Sequence, residues 1–165
     1  MKISVTININ GKDHSVQVEP RRTLADTIRG ECGQTGTHTG CEHGVCGACT
    51  ILLDGEPVRS CLMFAVQAAG RKIRTVEGLA EKENEGERLH PLQRAFIEQH
   101  GLQCGFCTPG FLMLAAGTLE RRPDISDEEL LEVLSSNLCR CTGYKNIVKA
   151  VRAAAAEMNE RRENV

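Results

Sequence analysis

The chain has 165 residues, of which 41% are hydrophobic and 25% charged, and its net charge at pH 7 is −2. Charges of both signs are interspersed, which excludes a basic stripe for nucleic acid and a polybasic patch for a membrane, and no apolar run approaches the length of a membrane span. The N-terminal stretch MKISVTININ alternates like a strand and unlike a signal peptide, so we expect a cytoplasmic protein. In that reducing compartment a chain with nine cysteines more often binds metal or performs catalysis than forms disulfides.

The N-terminal part of the sequence predicts a compact α+β unit over residues 1–76. Its signals follow in chain order: an alternating strand from Ile3, a hairpin turn at Asn10-Gly11, a returning strand that ends before Pro20, a short helix capped by Thr23, a glycine-rich loop over residues 30–47, a second hairpin with its turn at Asp54-Gly55, and a last strand near Ile73. A hairpin, a helix, a loop, a second hairpin and a further strand together are typical of a compact α+β unit.

Helical periodicity replaces strand alternation in the C-terminal part. The first helix is predicted from Pro91, and a second opens at Thr108-Pro109, with the threonine as its cap. Ser126 and Glu129 form a capping box for a third helix, and Thr142 is predicted to cap a fourth. The sequence therefore predicts four helices, which favours a small bundle.

The composition divides the chain into two units. Residues 77–88 are charged and poorly patterned, which predicts a linker between them. The all-α unit then covers residues 89–160, and the charged residues 161–165 are predicted to be a frayed tail.

Four cysteines of the α+β unit form a first set: Cys41, Cys46, Cys49 and Cys61. The first three are spaced C-x4-C-x2-C, which with a later fourth cysteine is the spacing of plant-type [2Fe–2S] ferredoxins. Glycines between them permit the chain to wrap closely and to point N–H groups at bridging sulfides. A structural zinc site and a disulfide framework are the alternatives, although zinc usually takes two short knuckles whereas three of these cysteines share one loop.

A second set lies in the helical unit: Cys104, Cys107, Cys139 and Cys141. The first two are spaced C-x2-C and the others C-x-C, and each pair stands at a junction that leads into a helix. Residues two apart on a continuous helix point to nearly opposite faces, so the C-x-C pair requires a helix break. We expect the four thiolates at one end of the bundle, where helix N-termini add a stabilising positive potential.

The remaining metal-binding residue types belong to neither set. Cys32 is predicted to be a packed or semi-exposed thiol. Five histidines would permit Rieske ligation, which eight cysteines make unnecessary. His43 either tunes the first centre or is solvated, and Phe106 either shields the second centre from water or is ordinary core.

Five stretches of the sequence resemble the small iron–sulfur subunit of the molybdenum hydroxylases, the xanthine oxidase family. They cover nearly the whole chain: TLADTIRG, TGTHTGCEHGVCGACTILLDGEPVRSC, AVQAAG, GLQCGFCTPG and NLCRCTGYKNIVKAV. The resemblance implies two [2Fe–2S] clusters, one in an N-terminal β-grasp ferredoxin domain and one in a C-terminal four-helix bundle. The chain is similar to the small subunits of three-subunit prokaryotic enzymes of the carbon monoxide dehydrogenase and quinoline-type groups.

The resemblance also implies a role for the chain in an oxidoreductase. Electrons would pass from a molybdopterin centre, in its cytosine dinucleotide form, in a large subunit through both clusters to FAD in a medium subunit, within a dimer of heterotrimers. Gln103 and Cys141 would hydrogen-bond the pterin. The chain itself shows no dinucleotide fingerprint, P-loop or nucleophile constellation, so we expect no catalytic residue in it.

Two other functions remain open from the sequence. One is a free-standing two-cluster ferredoxin-type electron carrier. Two features count against it: a mobile carrier does not need the second domain, and shuttling ferredoxins tend to be more acidic than this chain. A zinc-stapled interaction module would use the same cysteines without redox chemistry.

Overall fold

The computed structural model describes residues 1–83 and 86–164, and the N-terminal part forms one mixed sheet. Its five strands and one helix are β1 Ile3–Ile9, β2 Lys12–Val18, α1 Leu24–Gly30, β3 Thr50–Leu53, β4 Glu56–Arg59 and β5 Lys72–Arg74. The sheet order is β2-β1-β5-β3-β4, with β1 and β5 parallel and the other pairs antiparallel. Both predicted hairpin turns are confirmed, and each has two residues of positive φ: Asn10 (52°) with Gly11 (80°), and Asp54 (51°) with Gly55 (86°).

The first hydrophobic core lies between this sheet and α1. Alternate residues of β1, such as Ile7 and Ile9, point inward and pack with Leu24 and Ile28 of the helix. Thr23 caps α1 as predicted, because its Oγ1 accepts a hydrogen bond of 3.1 Å from the Asp26 N–H. The chain after β4 does not continue as a strand but forms short 3₁₀ turns over Ser60–Leu62 and Ala65–Ala68.

A two-stranded hairpin lies within the segment predicted as a linker. Its strands are β6 Glu81–Glu83 and β7 Gly86–Arg88, and a 3₁₀ turn at Val76–Gly78 precedes it. Residues 84 and 85 of that segment lie outside the described part of the chain.

Four helices follow: α2 Pro91–Glu98, α3 Thr108–Arg121, α4 Asp127–Ser135 and α5 Lys145–Glu163. The predicted capping box of α4 is confirmed, since Ser126 Oγ accepts from the Glu129 N–H and Glu129 Oε2 accepts from the Ser126 N–H. Among the described residues, no helix is long and apolar enough to cross a membrane.

Two of the predicted helix caps are wrong. Thr108 is the first residue of α3 rather than its cap, and its buried hydroxyl has no hydrogen-bond partner within residues 1–83 and 86–164. Thr142 stands before α5, but the residue at the cap position is Tyr144, in the left-handed conformation. The cap position of α3 is taken by Cys107 of the second set, and Thr142 Oγ1 accepts a hydrogen bond of 3.1 Å from the Tyr144 N–H instead of capping α5 itself.

Helix α3 joins the two parts of the molecule. It is buried from Gly110 to Leu119 and packs on the β3–β4 hairpin, where Gly117 fits against Leu52 and Pro57. All four residues of β3 are buried. Ile51 and Leu53 face the first core, whereas Leu52 belongs to the core formed by the helices. The sheet is therefore covered on both faces at this strand.

Candidate metal centres

The structure brings the four cysteines of the first set together beside the sheet. Cys41, Cys46 and Cys49 come from the loop between α1 and β3, and Cys61 comes from the 3₁₀ turn after β4. They meet in two pairs through thiol–thiol contacts, Cys41 with Cys46 and Cys49 with Cys61. The second pair is buried and the first is half-buried.

The thiols of this set differ in pKa because their surroundings differ. The Cys46 N–H donates to Cys41 Sγ at 3.4 Å, and with further N–H groups of the loop it lowers the pKa of Cys41 to about 6. Burial, together with contact with Cys49, raises the pKa of Cys61 to about 11. Backbone N–H groups aimed at sulfur are the donors that an anionic thiolate centre requires.

The loop that carries the first set depends on close backbone approach. A Cβ at Gly44 (φ +84°) would lie 2.6 Å from the Leu62 side chain, and a Cβ at Gly47 (φ +75°) would lie 1.9 Å from the side chain of the buried Asn137. Glycine adopts positive φ without the steric cost that other residues incur. The glycines that let the loop wrap closely therefore also admit side chains from outside it.

The second set also comes together as predicted. Cys104 and Cys107 precede α3, and Cys139 and Cys141 occupy the break between α4 and α5. Contacts pair Cys104 with Cys141 and Cys107 with Cys139. The first pair is exposed and the second is half-buried.

Two residues that the sequence did not assign to the site hold Cys139. Burial opposes ionisation of Cys139, but hydrogen bonds from the N–H (3.4 Å) and hydroxyl (3.0 Å) of Thr142 lower the pKa of this thiol. The Tyr144 hydroxyl accepts a hydrogen bond of 3.0 Å from the Cys139 N–H. Burial and contact with Cys139 raise the pKa of Cys107 to about 12. The T-G-Y that follows the C-x-C pair was the available sequence signal.

The donor sets fit two-iron clusters. Among the described residues no three His, Cys, Asp or Glu side chains gather closely enough to hold a single metal ion; the thiols meet in twos. Two facing pairs of thiolates are the donor arrangement of a Cys₄ [2Fe–2S] cluster, in which each iron takes two of the four.

The two sets lie next to each other across the junction of the two parts. The Leu138 N–H donates to the Cys46 carbonyl at 2.9 Å, and Leu138 immediately precedes Cys139. The Asn137 side-chain amide reaches the Gly47 carbonyl at 3.5 Å, and Asn137 is only 1% exposed. Arg59 of β4 adds a hydrogen bond of 2.9 Å to the Ser136 carbonyl. Residues adjacent to the ligands of one set thus bind the loop of the other.

The other candidate residues are placed as follows. Gln103 and Cys141 are both exposed, and the contact of Cys104 with Cys141 puts them at the same end of the molecule. Cys32 is apart from both sets in the first core, where burial raises its pKa. His43 is exposed, and its Nδ1 lies 2.5 Å from the Cys41 carbonyl oxygen, to which it donates.

Comparison with known families gives a match for each part of the chain. Residues 7–80 match the family model described as a 2Fe-2S iron-sulfur cluster binding domain, and residues 75–152 match the model described as a [2Fe-2S] binding domain.

Known proteins resemble the chain over almost its whole length. It is 51% identical to the nicotine 6-hydroxylase small subunit of Paenarthrobacter nicotinovorans, covering 97% of this chain and 94% of the relative. It is 54% identical to caffeine dehydrogenase subunit gamma of a Pseudomonas species, covering 92% and 90%. In the crystal structure of quinoline 2-oxidoreductase from Pseudomonas putida 86, a chain 51% identical superposes with a TM-score of 0.88 and 97% coverage of both.

Proposed function

Because the chain belongs to the family of small iron–sulfur subunits of the molybdenum hydroxylases, we propose that it carries electrons from a molybdopterin centre in a large subunit to FAD in a medium subunit. The observation that supports this most directly is the pair of adjacent four-thiol sets. Each set suits a one-electron group, and two such groups on hydrogen-bonded neighbouring loops suit a relay.

Eight cysteines are assigned as ligands in this proposal. Cys41, Cys46, Cys49 and Cys61 hold one [2Fe–2S] cluster, and Cys104, Cys107, Cys139 and Cys141 hold the other. Each cluster, when bound, accepts and releases single electrons. The backbone N–H groups at Cys41 and the Thr142 groups at Cys139 favour thiolate over thiol, which is the form that binds iron.

The architecture in this proposal has two domains. Residues 1–76 are a β-grasp ferredoxin domain, supported by the mixed sheet with α1 across it. Residues 89–160 are a four-helix bundle, supported by α2 to α5 around one core. Residues 77–88 connect the two, and residues 161–165 are a tail.

The exposed end of the second set is proposed to face the large subunit. Gln103 and Cys141 hydrogen-bond the pterin there, which their exposure beside Cys104 permits. Apolar side chains surround this end: Phe106, Leu138 and Tyr144 are 49%, 49% and 37% exposed. We expect residues 103–109 and 138–144 to be buried in the complex.

The first set is proposed to face the medium subunit. Val45 and Leu62 stand next to the ligands Cys46 and Cys61 and are 53% and 62% exposed, with Phe64 beside them at 47%. Exposed apolar side chains next to a redox centre suit a permanent partner, because they are covered on assembly. We expect residues 40–48 to be buried there.

The whole enzyme is proposed to be a cytoplasmic dimer of heterotrimers whose pterin is the cytosine dinucleotide form. Relatives at 51–54% identity are named for nicotine and caffeine, which favours a nitrogen heterocycle as substrate over an aldehyde or carbon monoxide. The large subunit makes that choice.

Low-temperature EPR of the dithionite-reduced chain, with iron and zinc analysis, tests the proposal. Two distinct S = 1/2 signals and about four irons per chain are expected, as two complete clusters require. Copurification with a molybdopterin subunit and a flavin subunit then distinguishes the subunit from a free-standing two-cluster carrier.

The opposite results are equally informative. About two irons with one signal would restrict the relay to one domain. Zinc without an EPR signal would overturn electron transfer altogether. Two clusters in a chain that stays monomeric beside its neighbours would favour the free-standing carrier.

A further inference from the structure

His38 lies in the loop that follows α1 and contacts the loop of the second thiol set. Its Nδ1 is 2.7 Å from the carbonyl oxygen of Phe106, and the two rings are stacked with centroids 4.8 Å apart and planes at 21°. A carbonyl oxygen only accepts, so His38 Nδ1 carries the hydrogen and donates it. Phe106 stands between Cys104 and Cys107. His38 therefore binds the middle of the C-x2-C loop twice, through a hydrogen bond to the Phe106 carbonyl and through a stack on the Phe106 ring.

The phenyl ring of Phe106 also reaches the first set. A Cβ at Gly40, the residue before Cys41, would lie 3.4 Å from a ring carbon of Phe106 and 3.1 Å from Cys46 Sγ. The ring therefore touches both His38 and the backbone just before the first ligand, Cys41. One side chain of the second loop thus contacts the loop of the first set at two places, His38 and Gly40.

The loop that carries His38 is anchored by hydrogen bonds to α1 and to the turn at Val76–Gly78. Arg29 of α1 donates through one guanidinium nitrogen to the carbonyls of Thr35 and Thr37, both at 2.7 Å. The Gly36 N–H donates to Glu77 Oε1 at 2.7 Å, which ties the same loop to the turn at Val76–Gly78. Because its own loop is anchored, His38 can hold Phe106 in place; on an unanchored loop His38 would move together with Phe106.

We propose that His38 is a positioning residue for electron transfer between the two clusters: it fixes the Cys104–Cys107 loop, through Phe106, against the loop of Cys41 and Cys46. The proposal rests on the proposed function and adds a residue that ligates nothing. The transfer moves one electron from the group held by the second set to the group held by the first, and no bond forms or breaks. Since electron tunnelling falls exponentially with distance, a small loosening of this contact slows the relay.

Variants of the two residues separate the hydrogen bond from the stack. His38→Ala removes both contacts, His38→Asn keeps a donor on the side of Nδ1 but no ring, and Phe106→Leu removes the ring but keeps the carbonyl. His14→Ala on β2 is the matched control, because β2 is the edge strand of the sheet and carries no ligand.

The measurement is the magnetic coupling between the two reduced clusters in the full chain, seen in EPR as line splitting and faster relaxation. We expect His38→Ala and Phe106→Leu to weaken the coupling with both signals and the iron content retained, His38→Asn to restore part of it, and His14→Ala to leave it unchanged.

Three results would overturn the inference. The first is coupling in His38→Ala equal to that of the unaltered chain. The second is loss of a cluster in both His38 variants, which would make His38 a residue of cluster assembly only. The third is two uncoupled clusters in the unaltered chain. Absence of two cluster signals from the unaltered chain would instead refute the proposed function, so the two failures are distinguishable.

Discussion

Gly47 and Asn137 show how single residues connect the two parts of the molecule. The Gly47 carbonyl accepts from the Thr50 N–H (3.1 Å) and hydroxyl (2.6 Å), and the buried Asn137 amide approaches the same carbonyl. A Cβ at position 47 would lie 1.9 Å from Asn137 Oδ1, a distance that no real contact reaches. Only glycine therefore fits between the ligand Cys46 and the helical part.

Gly47→Ala is expected to destabilise the chain for two reasons. Positive φ in a residue with a Cβ costs about 1–3 kcal/mol, and the buried Asn137 side chain has little space to move away. At ~2–4 °C per kcal/mol for a chain of this size, the thermal midpoint of the iron-loaded chain should fall by several degrees, with loss of iron from the first set.

Gly55→Ala is the matched control for that experiment. Gly55 has φ +86°, and a Cβ at this position would meet nothing within 4 Å, so the alanine carries the backbone cost without the clash. If both variants lose the same stability, the contact with Asn137 contributes nothing.

The elements around each thiol set differ in kind, which makes selective loss of one cluster possible. A loop and a 3₁₀ turn beside the sheet carry the first set, and two helix junctions carry the second. The hydrogen bond from the Leu138 N–H goes to the Cys46 carbonyl, so removal of the Cys41 thiol leaves this link between the two sets in place.

Cys41→Ser should therefore abolish or distort the first cluster and leave the second intact. The iron content should fall to about two per chain, with one EPR signal retained. Cys104→Ser is the matched variant, for which the other signal should remain. Simultaneous loss of both signals in Cys41→Ser would contradict independent cluster binding by the two parts.

At the level of elements, periodicity and spacing predicted more than local capping did. The hairpin turns at Asn10 and Asp54, the capping box at Ser126 and the gathering of eight cysteines followed from patterns in neighbouring residues. The predicted caps at Thr108 and Thr142 are wrong: the cap of α3 is the cysteine Cys107, and Thr142 donates to Cys139 Sγ, so both helix starts adjoin a tertiary cluster of thiols that a local capping pattern does not encode. Contacts between distant segments, such as His38 with Phe106 or Asn137 with Gly47, leave no local pattern and needed the structure.

At the scale of the whole molecule, the exposed apolar side chains next to the first set predict the surface on which the proposed flavin subunit binds. Leu62→Glu should weaken association with the flavin subunit, since a carboxylate buried without a partner is costly, while both EPR signals persist. Copurified FAD per chain is the measurement.

Ile97→Glu is the control. Ile97 is exposed to nearly the same degree as Leu62 (58% against 62%), but it lies on α2, in the helical part of the chain, and not on an element that carries the first set. Equal FAD retention in Leu62→Glu and in the unaltered chain would remove this surface from the proposed interface.

Leu52 faces the helical core from a strand of the sheet, and this has a consequence for the chain as a folding unit. Cutting the chain near residue 76 would expose Leu52 and Pro57 to water and would separate Arg74 from Glu120, whose carboxylate oxygens lie 2.6 and 2.7 Å from it. We therefore expect the two parts to unfold in one cooperative transition, so that neither part can be exchanged alone between related enzymes. A hybrid would have to transplant β3, β4 and α3 together.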